Sequence, residues 1–277
     1  MIGLGSNRLM VCRRGGMSVT QAGRGGMEWL AGGRRPSWAS PYSAQATAAL
    51  KAQFPTQWPT IRDYGFAHPA LVPFINEDPM LVMSLIDGLG IRRFICDGQS
   101  YIKTGIISSP QCGFEGDAIY ADVSNTQPGY CYVYASGVTQ VFGVTFWNSK
   151  WGVGYGSSAN GPTLSTNVEY QIKNQMGDVK ITGTDGTNYT YTFGSTTNIV
   201  DEELFFPASH QKGTTPSKNP KLKGKHFKCY NNGALVRDFV LCKNPNGADY
   251  GLLDIVNAVW YPNQGSGSFG KEEIFPS

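Results

Sequence analysis

Residues 225–269 read KHFKCYNNGALVRDFVLCKNPNGADYGLLDIVNAVWYPNQGSGSF. This stretch decides the fold because it opens as a hairpin. Asn231-Asn232-Gly233 is a tight-turn signal, since Asn and Gly tolerate the positive φ that a two-residue primed turn demands. Phe227–Tyr230 before it and Leu235–Leu241 after it have the character of strands. In the second strand Leu235, Arg237, Phe239 and Leu241 share one face; Val236, Asp238 and Val240 share the other. Each face holds one charge among apolar neighbours. The strand is therefore expected to be covered on both sides with its charges paired, as in a two-sheet sandwich.

Working outward, the pattern stays β from Ile91. Short runs at 92–96, 100–106, 117–123, 130–135, 138–147, 168–173, 179–184, 188–193, 204–206 and 251–255 alternate with turn residues. Such spacing predicts a mainly β sandwich or jelly roll. Composition agrees: 35 Gly, 12% aromatic and only 16% charged residues favour strands and turns over helices. A net charge of +3 argues against a nucleic-acid binder.

The segments YxNGxLVRDFxxC (from Tyr230) and GLxDxVNxxxYxNxGxGSF (from Gly251) resemble the C-terminal signature of a known family. It comprises the concanavalin A-like (laminin-G-like) jelly rolls of bacteriophage and prophage surface proteins, especially of gut bacteria. A second family hallmark, xYIxTGI, is matched by DGQSYIKTGI at Asp97–Ile106. The resemblance covers residues 91–277 and implies a concanavalin A-like jelly roll. It also implies membership of a virion, as fibre, tail or capsid decoration; the lack of a secretion signal in the first 30 residues adds the expectation that the protein is made in the bacterial cytoplasm without a signal peptide.

Two segments precede that region. Residues 1–40 are rich in Gly and carry Arg8, Arg13, Arg14, Arg24, Arg34 and Arg35 against Glu28 alone. With no helical or strand period, this arm is expected to be disordered alone and to anchor the protein to other virion proteins. Only Trp29 and Trp38 could stack on bases there, which disfavours nucleic acid. Residues 41–90 read as a collar: a helix at Ser43–Phe54 behind Ser40-Pro41, an extended crossing punctuated by Pro55, Pro59, Pro69 and Pro73, and a short helix at Met80–Asp87. Helices so short need a partner to bury their apolar residues, so a homo-oligomer, most simply a trimer, is expected. The first 30 residues lack the apolar core of a secretion signal, and the apolar run Met80–Ile86 is too short to span a bilayer. Leu9-Met10-Val11-Cys12 is a poor lipoprotein box, because Val11 is not small and Arg13-Arg14 follow.

Six cysteines include no C-x-x-C pair. In a hairpin with a two-residue turn, Cys229 faces Val236, leaving Cys242 too far along for a disulfide, so packed free thiols are expected. His68, His210 and His226 lack metal-ligand spacing, and no cofactor motif is present. Whether Asp117, Asp122 and Asp185 could hold calcium is left open by their positions. Glu115-Gly116-Asp117 begins the E-x-D-x-(x)-E pattern of concanavalin A-like glycosidases, but Ile119, Tyr120 and Ala121 stand where the second Glu belongs. The chain is therefore read as no enzyme. The glycan-binding candidates are Trp147, Asn148, Trp151 and Tyr155, aromatic faces for sugar rings beside an amide. The same residues admit another reading, in which the tryptophans close a hairpin and pack in the core.

Together these features point to a non-enzymatic virion protein, anchored by its N-terminus and displaying an outward jelly roll, for adhesion to host-surface or environmental glycan or for decoration alone. The alternative is a carbohydrate-binding or glycan-hydrolysing protein of the bacterium itself.

Overall fold

The computed structural model describes residues 19–22, 26–29 and 39–276, apart from 124–128, 136–139, 148, 197, 217 and 218. The six arginines expected to anchor the chain, Arg8, Arg13, Arg14, Arg24, Arg34 and Arg35, lie outside the described residues. The chain divides into two units, residues 1–41 and 42–277. Within the first, Val19–Ala22 (β1) and Gly26–Trp29 (β2) pair antiparallel, a local ladder in a segment whose sequence shows no strand period.

The second unit begins with four helices: Ala44–Gln53 (α1), Trp58–Ala67 (α2), Val72–Glu77 (α3) and Val82–Leu85 (α4). Ser43 rather than Ser40 caps α1, because its Oγ accepts from the N–H of Ala46 at 3.2 Å. The expected extended crossing is instead helical. Pro59 and Pro73 sit in the first turns of α2 and α3, where the missing N–H costs nothing, and Pro69 and Pro79 open 3-10 turns.

The larger sheet has 11 strands. Its main path runs Asn188–Thr192 (β12), Asp178–Gly183 (β11), Glu169–Gln175 (β10), Cys112–Tyr120 (β5), Phe227–Asn231 (β16), Ala234–Lys243 (β17), Tyr250–Asp254 (β18) and Val259–Tyr261 (β19). Ile91–Asp97 (β3), Lys221–Gly224 (β15) and Phe269–Ile274 (β20) complete it beside β5. The facing sheet has five strands: Ala208–Gln211 (β14), Gly129–Tyr134 (β6), Val141–Trp147 (β7), Lys150–Tyr155 (β8) and Ser157–Thr163 (β9). All its pairs are antiparallel except β14 beside β6. Ile102–Ile107 (β4) pairs with Glu203–Phe206 (β13).

The molecule is thus mainly β, with stacked sheets enclosing one aromatic core. From the large sheet come Phe114, Tyr120, Tyr170 and Phe227; from the small one come Tyr130, Phe142, Phe146 and Trp151. Alternation along β17 explains a second core on the other side. Phe239 and Leu241 point inward, whereas Val240 and Cys242, with Leu253 of β18, meet Leu50, Ile61, Ile75 and Leu81 of the helical segment. The helices therefore bury their apolar residues on the chain's own sheet, and residues 42–90 share a compact unit with the sandwich. This removes the ground on which a homotrimer was expected.

The hairpin forms with positive φ at Asn232 (49°) and Gly233 (76°). A bulge at Cys229/Tyr230 shifts the register, so Cys229 faces Arg237 instead of Val236. The two charges of β17 are paired on opposite sides: Arg237 Nε lies 3.4 Å from Asp254, and Asp238 lies 2.8 Å from His226 Nδ1. Cys229 and Cys242 are free thiols buried in the two different cores.

The two family-like motifs meet as a clasp. The Asp97 carboxylate accepts from the N–H groups of Gln99, Ser100 and, from the far end of the chain, Ser268. Asn263 Oδ1 accepts from the Tyr101 N–H at 3.0 Å, and the Gln264 N–H donates to Tyr101 O at 2.8 Å. Glycine is required here for close approach. A Cβ on Gly265 would strike the Gln99 carbonyl, and one on Gly267 the Asp97 carboxylate.

His210 on β14 is 2% exposed, and its ring stacks on Phe205 at 4.2 Å. Burial lowers its pKa from 6.5 to about 4. Between those values the unfolded chain binds the proton and the folded one does not. The contribution is therefore whole above pH 6.5 and is lost as pH falls toward 4. Denaturation midpoints should fall from pH 6.5 to about 5, before most carboxylates titrate, and His210→Phe should flatten that slope. An unchanged slope in the variant would assign the effect elsewhere.

Candidate functional site

Four strands from three separate parts of the chain build one cleft. Because β10 lies between β11 and β5, and β16 follows β5, residues from 115 to 228 share the outer face of the large sheet, away from the aromatic core. The helical segment covers the neighbouring β17–β18 part of that face. The uncovered part holds a cleft of about 430 Å³. Its charged lining is Glu115, Asp117, Lys173, Lys180, Lys225 and Lys228, with Gln171, Thr182 and His226 beside them.

The register orders these groups in rows. Lys180, Lys173, Glu115 and Lys228 stand directly cross-strand in succession over β11, β10, β5 and β16. One step along, Thr182, Gln171 and Asp117 form a second row.

The carboxylates are already engaged. Asp117 is 4% exposed and accepts from the backbone N–H groups of Lys225 and His226 at 3.0–3.1 Å. Burial raises its pKa, against the pull of those two donors. Glu115 Oε1 accepts from the Tyr230 hydroxyl at 2.5 Å and lies 3.7 Å from Lys228 Nζ. Burial first, and then Glu115, push the Tyr230 hydroxyl upward. Lys225 reaches Glu169 at 2.5 Å, and Arg93 holds the other Glu169 oxygen at 3.0 Å. Burial would raise the Glu169 pKa, but Lys225 and Arg93 overcome it and hold the carboxyl below its usual value.

The cations are not all engaged. Lys173 and Lys180 are exposed, and neither has a salt bridge among the described residues.

The aromatic candidates fall elsewhere. Trp151 is fully buried on β8, with its ring packed edge-on against Tyr120 and Tyr170. Tyr155 lies on the same strand at 4% exposure, and its hydroxyl donates to Pro110 O at 2.7 Å. Neither ring presents a face to a sugar. Trp147 lies on β7; Asn148 is outside the described residues. Glu115 and Asp117 do share one face of β5, as the sequence alternation implies.

A second hollow, of about 460 Å³, lies beside the clasp between Gln99, Tyr101, Asn219 and Gln264. Its aromatic ring, Tyr101, is stacked on Phe205 at 5.6 Å and is 8% exposed. Among the described residues no group of three or more His, Cys, Asp and Glu is placed to hold a metal ion. No helix among them is long and apolar enough to cross a membrane.

No protein-family model matches the chain, and no curated protein sequence does. Among solved structures, a candidate carbohydrate-binding protein from Bacteroides ovatus superposes with a TM-score of 0.42 at 12% identity. The match covers 67% of this chain and 61% of that one. A protein of unknown function from Shewanella oneidensis gives a TM-score of 0.21 at 15% identity, over 56% of this chain and 64% of that one. The chain thus spans less than two thirds of either neighbour's length, and neither likeness bears on the ligand.

Proposed function

We propose that this protein is a non-catalytic glycan-binding sandwich, displayed on a virus particle through its Arg-rich arm. One observation carries the binding part. In the outer-face cleft the carboxylates are held by the protein itself, while the donors Lys173, Lys180 and Gln171 stand exposed. Hydrolysis needs one carboxyl group free to give a proton and a second to act as nucleophile or base. Asp117 has both oxygens on backbone amides, and Glu115 is tied to Tyr230 and Lys228. An array of exposed donors over a shallow cleft suits the hydroxyl groups of a saccharide.

The virion part is supported by the motifs at 97–106 and 225–269 that resemble phage surface proteins, and by the cationic arm. Two measurements test the reading. The full chain, incubated with glycans that it retains on an array, should release no new reducing ends. Purified particles should contain the protein, and deletion of residues 1–40 should remove it from them. Reducing ends that appear with wild type and vanish with Glu115→Gln would replace binding by hydrolysis. Full occupancy of particles by the truncated chain would refute anchoring through the arm.

A further inference from the structure

We propose that the outer-face cleft takes an acidic sugar, with its carboxylate or sulfate group held between Lys173 and Lys180. The proposal rests on the glycan-binding reading above and names the ligand class. Lys173 and Lys180 are directly opposite each other in the β10–β11 register. Like charges at such positions repel and destabilise a sheet, so the pair works against the fold that carries it. No carboxylate of the described residues forms a salt bridge with either lysine. The nearest acid in the row, Glu115, is shared by Tyr230 and Lys228. An anion placed between the two ammonium groups would relieve the repulsion, which is the usual way a cationic pair is turned to recognition.

The balance of the whole lining agrees. Four lysines and two carboxylates line the cleft; Lys225 is paired with Glu169 and Lys228 lies near Glu115, which leaves Lys173 and Lys180 as its cations without a salt bridge among the described residues. The lining also contains no Phe, Tyr or Trp among the described residues. Neutral sugars are commonly gripped by an aromatic face under the ring; a cleft without one must draw its affinity from charge and hydrogen bonds. Gln171 and Thr182, opposite each other one step from the lysine pair, supply an amide and a hydroxyl for the sugar's own hydroxyl groups. A volume of about 430 Å³ fits one or two sugar rings. Lysine presents a point charge with rotatable donors, so the same pair accepts a planar carboxylate or a tetrahedral sulfate.

The full chain should be titrated calorimetrically with digalacturonate, a sulfated galactose disaccharide and neutral digalactose. The acidic sugars should bind at least about tenfold more tightly than digalactose, and raising salt from about 50 to 300 mM should weaken only them. Which of the two binds tighter identifies the acid group; binding of either supports the proposal. The variant Lys173→Gln/Lys180→Gln should lose about tenfold or more in affinity for the acidic sugar, with a thermal midpoint equal to or above that of wild type. Equal binding of digalactose, unmoved by salt or by the double variant, would overturn the acidic-sugar proposal and leave the glycan reading standing. If the array and all three titrations show no binding, both fail.

Discussion

Replacing Trp151 by Ala should cost about 3–5 kcal/mol of unfolding free energy, the range for truncating a large buried aromatic side chain. Its ring is fully buried, with centroids 5.6 Å from Tyr120 and 5.3 Å from Tyr170, both edge-on at near-perpendicular angles. Tyr120 and Tyr170 belong to the large sheet and Trp151 to the small one, so this cluster is part of what joins the two layers. An Ala there leaves a cavity that neighbouring strands cannot close without losing their own ladders. The indole Nε1 has no hydrogen-bond partner among the described residues. Trp151→Phe should therefore cost clearly less than Trp151→Ala, since it keeps much of the ring contact and removes the idle donor. Urea denaturation of the two variants checks both statements. A Trp151→Ala protein within about 1 kcal/mol of wild type, but weak in glycan binding, would return this residue to the surface site that its sequence setting also permits.

That ambiguity shows how much of the protein was legible in the sequence. Trp147-Asn148-Ser149-Lys150-Trp151 has the composition of a binding loop and of a hairpin alike. What decides is which strand lies opposite, and that is a matter of topology. The strands with β-branched and aromatic runs were readable, as was the two-faced character of β17, because alternation is local. The strands β8 and β9 were not, since KWGVGY and SSANGPT are too rich in Gly and small polar residues to signal pairing. The helices α2 and α3 were hidden by prolines that look like breakers but occupy first turns. The bulge at Cys229/Tyr230 moved the predicted register by one residue, which no local pattern announces. The cleft was half visible: Glu115 and Asp117 are two apart on one strand, so they share a face. Lys173, Lys180 and Lys228 come from β10, β11 and β16, and only the order β11-β10-β5-β16 lines them up; Lys225 joins them from the link between β15 and β16. The clasp is the opposite case. Asp97 and Asn263 stand in motifs recognisable at both ends of the domain, and the spacing of Gly265 and Gly267 records the closeness of the two backbones.

The second large effect is expected at Asp78, in the turn between α3 and α4. Its carboxylate is 6% exposed, and one oxygen accepts from Arg92 Nη2 at 2.7 Å and from the Lys243 N–H at 2.9 Å. It thereby ties the helical segment to β3 and to the end of β17. The Arg92 side chain is fully buried, and its other acid, Glu273, lies at 3.4 Å from Nε and is shared with Lys271. Asp78→Ala leaves a buried guanidinium short of charge and the Lys243 amide without its acceptor. The expected loss is about 3–5 kcal/mol, the cost of breaking a buried pair from one side. Replacing both partners, as in Asp78→Leu/Arg92→Met, should recover a good part of that loss, because desolvation of the pair offsets most of its attraction. Urea denaturation of the single and double variants gives the coupling directly. Limited proteolysis adds where the loss falls: cleavage within residues 44–85 should rise first in Asp78→Ala, as the helices leave the Val240–Cys242–Leu253 surface. A double variant as unstable as the single one would mean that Asp78 acts through the Lys243 amide alone, and that the ion pair adds nothing to the docking of the helices.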